Sequence, residues 1–267
     1  MITSTSNQRV KEVVQIQKKS KMRSQAGVFP VEGIRMIREV PKEQLESLYV
    51  TDGFYKKYQR ELTQIEESGI KPELVSDAVF AYMSDTKSPQ GVLGIVKQVS
   101  YSMEDLVKTK SRDKASYIMI LDNLQDPGNL GTIFRTAEAA GVTGILMSKD
   151  CVDIYNPKTI RSTMGAIYRM PFLYAENLIE AIDVLKKSGI HIYAAHLDGK
   201  NTYDKEDYCG GTAFLIGNEG NGLRQEIAEC ADTWIRIPME GQVESLNAAV
   251  AASVLMFETA RQRREKK

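Results

Sequence analysis

The chain has 267 residues, 42% of them hydrophobic and 26% charged, with Lys+Arg and Asp+Glu balanced at 35 each. That length allows two ordinary domains, and the mixed composition excludes a disordered or low-complexity protein. No apolar run approaches the roughly 18–20 residues of a membrane span, and the polar start MITSTSNQRV lacks a signal-peptide core, so a cytoplasmic protein with no membrane partner is expected.

Residues 6–20 place Val10, Val13, Val14 and Ile16 at helical spacing among charges. Within 8–23, Arg9, Lys11, Lys18, Lys19, Lys21 and Arg23 stand against Glu12 alone, a local charge of +5. The tail 261–267 carries +4, which leaves −9 on the body between. Basic ends on an acidic body suit local contact with phosphates; solvated helix ends are the plain alternative. GVFPVEG then predicts a short strand leaving through Gly33, followed by a helix over 34–40. A strand at LESLYVT, a helix over 54–67, a strand near 73–75, a helix over 77–83 and the run VLGIVKQV complete an alternating α/β unit. This unit, 1–98, ends where the polar stretch YSMEDLVKTKSRDKAS begins, so 99–115 reads as a linker, helical in part.

The stretch IMILDNLQDPGNLGTIFRTAEAAG, 118–141, reads as a buried strand, a turn at Asp126-Pro127-Gly128 and a helix with Asn129 as N-cap and Gly141 as stop. Ile133, Ala137 and Ala140 lie on one side of that helix, and Gly131 and Arg135, four apart, on another. A helix N-terminus with a Gly clearing and an Arg one turn on suits an anionic oxygen, although an ordinary cap and a solvated Arg would look the same. Strand GILMS, helix NPKTIRSTMGA, strand MPFLY, a helix over 177–187 and strand HIYAA follow, and such alternation predicts a mostly parallel sheet covered on both faces. His191 and His196 are not expected to serve as metal ligands or acid–base groups. Cys151, Cys209 and Cys230 are too far apart for a disulfide framework or a metal cluster and read as packing residues. In AFLIGNEGNGL a buried strand runs into Gly217, Gly220 and Gly222; the spacing is neither GxGxxG nor a Walker loop. Finally TWIRIPMEGQVESLNAAVAASVLMFETA reads as a strand over 233–237, a loop with Gly241, and an Ala-rich helix able to pack closely.

DPGNLGTIFRTAEAAG, IGNEGNGL and IPMEGQVESLNAAVAAS stand in the order of the three motifs of the SpoU, or TrmH-type, SPOUT RNA methyltransferases, and the chain resembles that family over about 116–262. NPKTIRSTMGA is similar to the family's intermediate helix, and 1–98 with FPVEG resembles an L30e-like RNA-binding domain. The resemblance implies a ribose 2′-O-methyltransferase using S-adenosylmethionine, with no metal. It also implies an α/β parallel-sheet catalytic domain tied in a trefoil knot, which periodicity cannot predict, and a homodimer through that domain. The cofactor is expected among the loops after residues 195, 217 and 237, lined by Ala195, Leu197, Gly217, Asn218, Gly222, Ile237, Met239 and Leu246. Ser245 and Asn247 are expected to fix the last loop, Asn129 and Arg135 to face the reacting hydroxyl, and Glu219 to shape the site. Arg9, Lys18, Lys19, Lys21 and Arg23 are the expected RNA contacts, with structured ribosomal RNA favoured over transfer RNA. Substrate selection and transfer are expected to be separable by truncation near residue 112. A non-catalytic RNA-binding protein on the same scaffold is a rival reading, which a cofactor titration would separate. A Rossmann dehydrogenase is another, but its Gly-rich loop should follow the first strand, and here it follows residue 216.

Overall fold

The computed structural model describes residues 1–67, 69–109 and 115–266. The chain forms two compact units: Met1–Val99 together with Asp153–Tyr168, and Ser100–Val152 together with Arg169–Lys267.

In the first unit the elements are α1 (Gln8–Lys18), α2 (Ser20–Ala26), β1 (Val28–Glu32), α3 (Ile34–Glu39), β2 (Leu45–Thr51), α4 (Asp52–Lys57), α5 (Gln59–Glu66), β3 (Glu73–Val75), α6 (Asp77–Met83) and β4 (Val92–Lys97). The strands lie in the order β1-β4-β2-β3, antiparallel except for β2 and β3. Val10, Val13 and Val14 of α1 are buried against the sheet with Val79, Phe80 and Met83 of α6, as the helical spacing predicts. The helix expected over 54–67 is broken at Tyr58, whose backbone (φ −119°, ψ 32°) is not helical.

The second unit begins with α7 (Met103–Val107), a short helix closed by a capping box between Ser102 and Asp105. It continues with β5 (Tyr117–Leu121), α8 (Pro127–Ala140) and β6 (Gly144–Ser148). The next helix, α9 (Pro157–Thr163), belongs to the first unit, a departure from the expected boundary at 116. Its segment buries Ile154, Ile160 and Ile167, stacks Tyr155 on Phe29 of β1 with ring centroids 4.7 Å apart, and pairs Arg161 with Asp85 at 3.0 Å. After it come β7 (Phe172–Ala175), α10 (Leu178–Lys187), β8 (His191–Ala195), β9 (Asn201–Thr202), β10 (Thr212–Ile216), α11 (Gln225–Ala228), β11 (Thr233–Arg236) and α12 (Ala248–Glu265). The seven strands run in the order β7-β6-β5-β10-β8-β11-β9, with every pairing parallel. β5, β6 and β10 are buried at every position, as a parallel sheet covered on both faces requires. Among the described residues no helix is long and apolar enough to cross a membrane.

α12 spends Ala249 and Ala252 inside the unit, where they are 3% and 0% exposed, and leaves Val250 and Phe257, seven residues apart, half exposed. A cavity of about 770 Å³ lined by Tyr101, Tyr117, Val142, Pro171, Phe257 and Arg263 lies where β5, β6 and β7 begin. The motif loops emerge from the other end of the sheet.

Candidate active site

The chain leaves β5 toward β6 and β7 on one side, while β10, β8 and β11 fill the other. Such a reversal in strand order opens a crevice at the carboxyl ends of the two central strands. Here these are β5 and β10, and the loops 122–126 and 217–224 meet above them.

Asp126, not Asn129, is the N-cap of α8: its carboxylate accepts the Asn129 N–H at 2.8 Å, and Pro127 occupies the first helical position. Proline is favoured there because the missing N–H would be unpaired anyway, and this was the signal in DPGN that could have moved the cap from Asn129 to Asp126. Released from capping, the Asn129 amide bridges two distant segments. Its Nδ2 donates to Glu219 Oε1 at 3.0 Å, and its Oδ1 accepts from Asn247 Nδ2 at 3.1 Å. Asn247 in turn caps α12, accepting from the N–H groups of Ala249 and Val250. The Glu219 carboxylate also accepts the N–H groups of Gln125 at 3.0 Å and Asp126 at 2.8 Å. Burial pushes its pKa up, but the donors Asn129, Gln125 and Asp126 outweigh that and hold it below the ordinary value of 4.5. Glu219 is therefore an ionised anchor at neutral pH and a poor proton acceptor.

The β10 loop is folded on itself. Asn218 exchanges backbone hydrogen bonds with Gly222, and its Oδ1 accepts from Gly220 and Asn221. A Cβ on Gly217 would stand 2.1 Å from the Gly222 carbonyl carbon, so only glycine fits. The loop is fastened to β5 by Asn218 Nδ2, which donates to Asn123 O at 2.8 Å, and by Arg224, whose Nε donates to Asp122 at 2.9 Å. The loop after β6 braces the same segment: Asn123 N–H donates to Ser148 Oγ, Leu124 N–H to Cys151 Sγ, and Gln125 Nε2 to Asp150 O. Burial pushes the Cys151 thiol up, and this packing residue also takes part in the brace, accepting from the Leu124 N–H and donating to Leu121 O. None of Asp122, Asn123, Gln125 or Arg224 stood out in the sequence; a lone carboxylate directly after a buried strand was the one available signal.

The residues expected to line the cofactor fall at the carboxyl ends of β8, β10 and β11, three adjacent strands. Ala195 ends β8, and the loop beyond it lies on β11, with His196 N–H donating to Ile235 O at 2.9 Å. Leu197 and Val243 are 64% and 63% exposed, while Ile237, Met239 and Leu246 are half-buried. Nothing lies within 4 Å of a Cβ built on Gly222 or Gly241. Apolar side chains beside open backbone fit an adenine face and its hydrogen-bonding edge. Ser245, expected to help fix the last loop, is exposed and makes no hydrogen bond among the described residues, so that role falls to Asn247. Arg135 is exposed on α8 and forms no ion pair among the described residues.

Lys18, Lys19 and Lys21 are exposed at the α1–α2 junction, and Arg9 is exposed but paired with Glu73. Arg23 is a correction. It is 4% exposed, its guanidinium donates to Asp153 at 2.6 Å and to the carbonyls of Ile16 and Gln17, and it is thus a structural cation of the first unit. The basic tail is also engaged: Arg263 donates to the carbonyls of Tyr208, Ala115 and Gly210, Arg261 to Glu258 and Glu265, and Lys266 to Asp207.

Comparison with known proteins identifies the family of this fold. Residues 116–257 match the SpoU rRNA Methylase family, and residues 7–94 match an MRM3-like substrate binding domain. The chain is 31% identical over 256 residues to the 23S rRNA (guanosine(2553)-2′-O)-methyltransferase RlmP of Bacillus subtilis, covering 96% of this chain and 97% of that protein. Its structure is similar to that of an AdoMet-bound rRNA methyltransferase from Sinorhizobium meliloti, with a TM-score of 0.85, 30% identity and 97% of each chain covered. It is also similar to the SpoU methyltransferase AviRb from Streptomyces viridochromogenes in complex with AdoMet, with a TM-score of 0.85, 26% identity, and 97% and 98% of the chains covered. The fold is that of the SPOUT methyltransferases with an N-terminal domain, and the chain belongs to the SpoU rRNA methylase family.

Proposed function

We propose that this chain methylates a ribose 2′-hydroxyl in 23S ribosomal RNA, with S-adenosylmethionine as methyl donor. The observation that carries the reading is the hydrogen-bonded path Asn247–Asn129–Glu219, which joins the three motif segments above β5 and β10. The likeness to RlmP favours ribosomal over transfer RNA. S-adenosylmethionine, when bound, supplies a methyl group activated by a sulfonium. Backbone groups of Gly217, Ile237 and Leu246 would hold it, with Ala195, Leu197, Asn218, Gly222 and Met239 around it.

The chain's own contribution is positioning plus charge. Holding a hydroxyl in line with a methyl donor removes much of the entropic barrier. Asn129 is held from both sides of its amide, so the surface it offers to the ribose is fixed. The Arg135 guanidinium stabilises the developing alkoxide electrostatically, while the hydroxyl proton leaves to water or an RNA phosphate. Glu219, ionised and occupied by three donors, serves geometry only. Lys18, Lys19, Lys21 and Arg9 of the first unit would meet RNA phosphates, without Arg23.

Mapping 2′-O-methyl groups in total RNA from cells with and without the protein tests the reading. Loss of one 23S methyl group is expected; a loss confined to transfer RNA, or none, overturns it. We also propose a homodimer through α12, whose exposed Val250 and Phe257 mark the face. Phe257→Asp should shift the sedimenting species to monomer, and a monomeric, fully active wild type rules the dimer out.

A further inference from the structure

The charge pair beneath the β10 loop takes no part in the chemistry proposed so far. Asp122 is 0% exposed and is the only fully buried carboxylate among the described residues. Arg224 spends most of its donors on it: Nε at 2.9 and 3.2 Å, the backbone N–H at 3.1 Å, and Nη2 as an ion pair. Its Nη1 reaches Asp150 at 3.4 Å, in the loop after β6. Arg224 stands at the N-cap of α11, yet its side chain makes no cap.

Asp122 is buried while the Arg224 side chain stays 39% exposed, and desolvating the carboxylate offsets much of the attraction, so what such a pair does well is fix one geometry. A bidentate guanidinium–carboxylate contact is directional, and a Lys could not reproduce it. The location decides which geometry is fixed. Loop 217–224 is closed on itself by Asn218, Gly222 and the tight approach of Gly217 to Leu223, so it is set as a piece. One end is attached to Asn123 through Asn218, the other to Asp122 through Arg224, and Glu219 stands between them. A small rotation about the Asn218 end would carry the Glu219 carboxylate away from the N–H groups of Gln125 and Asp126 and from the Asn129 amide.

We infer that Asp122 and Arg224 are positioning residues of the methyl transfer, setting the β10 loop so that Glu219 can hold Asn129 and the start of α8 in register with the cofactor loops. The inference rests on the methyltransferase reading and adds two residues beyond those proposed to meet substrate or cofactor. It requires the pair to act as a unit and to act on rate, not only on folding.

The test uses the full chain and four variants: Asp122→Asn, Arg224→Gln, Arg224→Lys and the double Asp122→Asn/Arg224→Gln. Thermal melting, S-adenosylmethionine affinity by calorimetry, and kcat and KM on total ribosomal RNA are measured for each. Displacement of a reacting group by about 1 Å costs on the order of a hundredfold in rate, so each single variant should lose about that in kcat per folded molecule, with KM for RNA within a few fold. Affinity for S-adenosylmethionine should fall at least severalfold, because the same loop carries Gly217 and Gly222. Arg224→Lys should recover only part of the loss. The double variant, free of an unpaired buried charge, should melt close to wild type yet transfer no faster than the single variants. Recovery of both melting and kcat in the double would show that the pair only holds the fold together. Unchanged kcat and cofactor affinity in a folded single variant would overturn the inference outright. A wild type that binds S-adenosylmethionine but methylates no ribosomal RNA would count against the substrate reading alone, since cofactor affinity still tests the pair.

Discussion

The loops after β10 and β11 border the same crevice and are built in opposite ways. Loop 217–224 is bonded to itself, to Asp122 and Asn123, and through Glu219 to the start of α8. Residues 238–246 make no hydrogen bond among the described residues, are largely exposed, and are fixed only where Asn247 caps α12. Few buried contacts and little hydrogen bonding mark a segment of low local stability. The contrast separates two tasks. On the proposed reading, the half that would set the reacting groups is made rigid in advance, whereas the half that would cover the ligand is left to take its shape on binding.

The comparison breaks most completely at Gly217. In Gly217→Ala the new methyl would collide with the Gly222 and Leu223 backbone, which cannot retreat without opening the loop. Cofactor affinity and transfer should both be lost, and calorimetry showing wild-type binding would mean that the loop is not rigid. Next is Arg135→Ala. Removal of an oxyanion-type donor costs about 10²–10³ in rate, with cofactor affinity expected within a few fold because Arg135 is proposed to act on the hydroxyl and not on the cofactor; near-normal turnover would refute its role.

Hydrogen exchange sharpens the contrast without a mutation. S-adenosylmethionine should slow amide exchange in 238–246 markedly and in 217–224 little, since the latter is already protected. Equal slowing of both would erase the distinction. The smallest effect is that of pH. The carboxylate of Glu219 is held below 4.5, so its contribution is complete above that value and disappears as pH falls through the lower folded value. The melting-temperature difference between wild type and Glu219→Gln should therefore be flat from pH 8 to about 5 and shrink on further acidification. A difference that grows with acidity would mean that Glu219 is held above its ordinary pKa instead.

What the sequence revealed was local. Period and turn chemistry placed β5, β6, β8 and the helix stop at Gly141, whereas the caps at Asn177 and Asn247 came from the structure. The motif residues Asn129, Glu219 and Asn247 came from family resemblance, but their bonding to one another did not, because 90 residues separate the first two and 118 the first and third. Asp122 and Arg224, 102 apart, were invisible for the same reason. The misplaced cap at Asn129 and the break at Tyr58 are errors of competing local signals. Arg23 is different in kind: its charge counted toward a basic stretch, and only the fold shows that Asp153 neutralises it. In the same way the apolar pattern of 153–168 announces burial without saying against which sheet.

That last segment bears on how the protein can be divided. The chain crosses between its two units three times, after Val99, after Val152 and after Tyr168. The substrate-binding unit therefore does not simply precede the catalytic sequence; part of it is nested inside. A chain beginning near residue 112 would retain Ile154, Ile160 and Ile167 but lose Phe29, which Tyr155 stacks on, and the Arg23 and Asp85 partners of Asp153 and Arg161. It would carry an orphaned apolar flap and invite aggregation. A gene fusion that exchanged only the first hundred residues between relatives would pair each flap with a foreign sheet. New target specificity in this lineage is thus expected to arise by coordinated change on both sides of that seam, more readily than by shuffling of an N-terminal module.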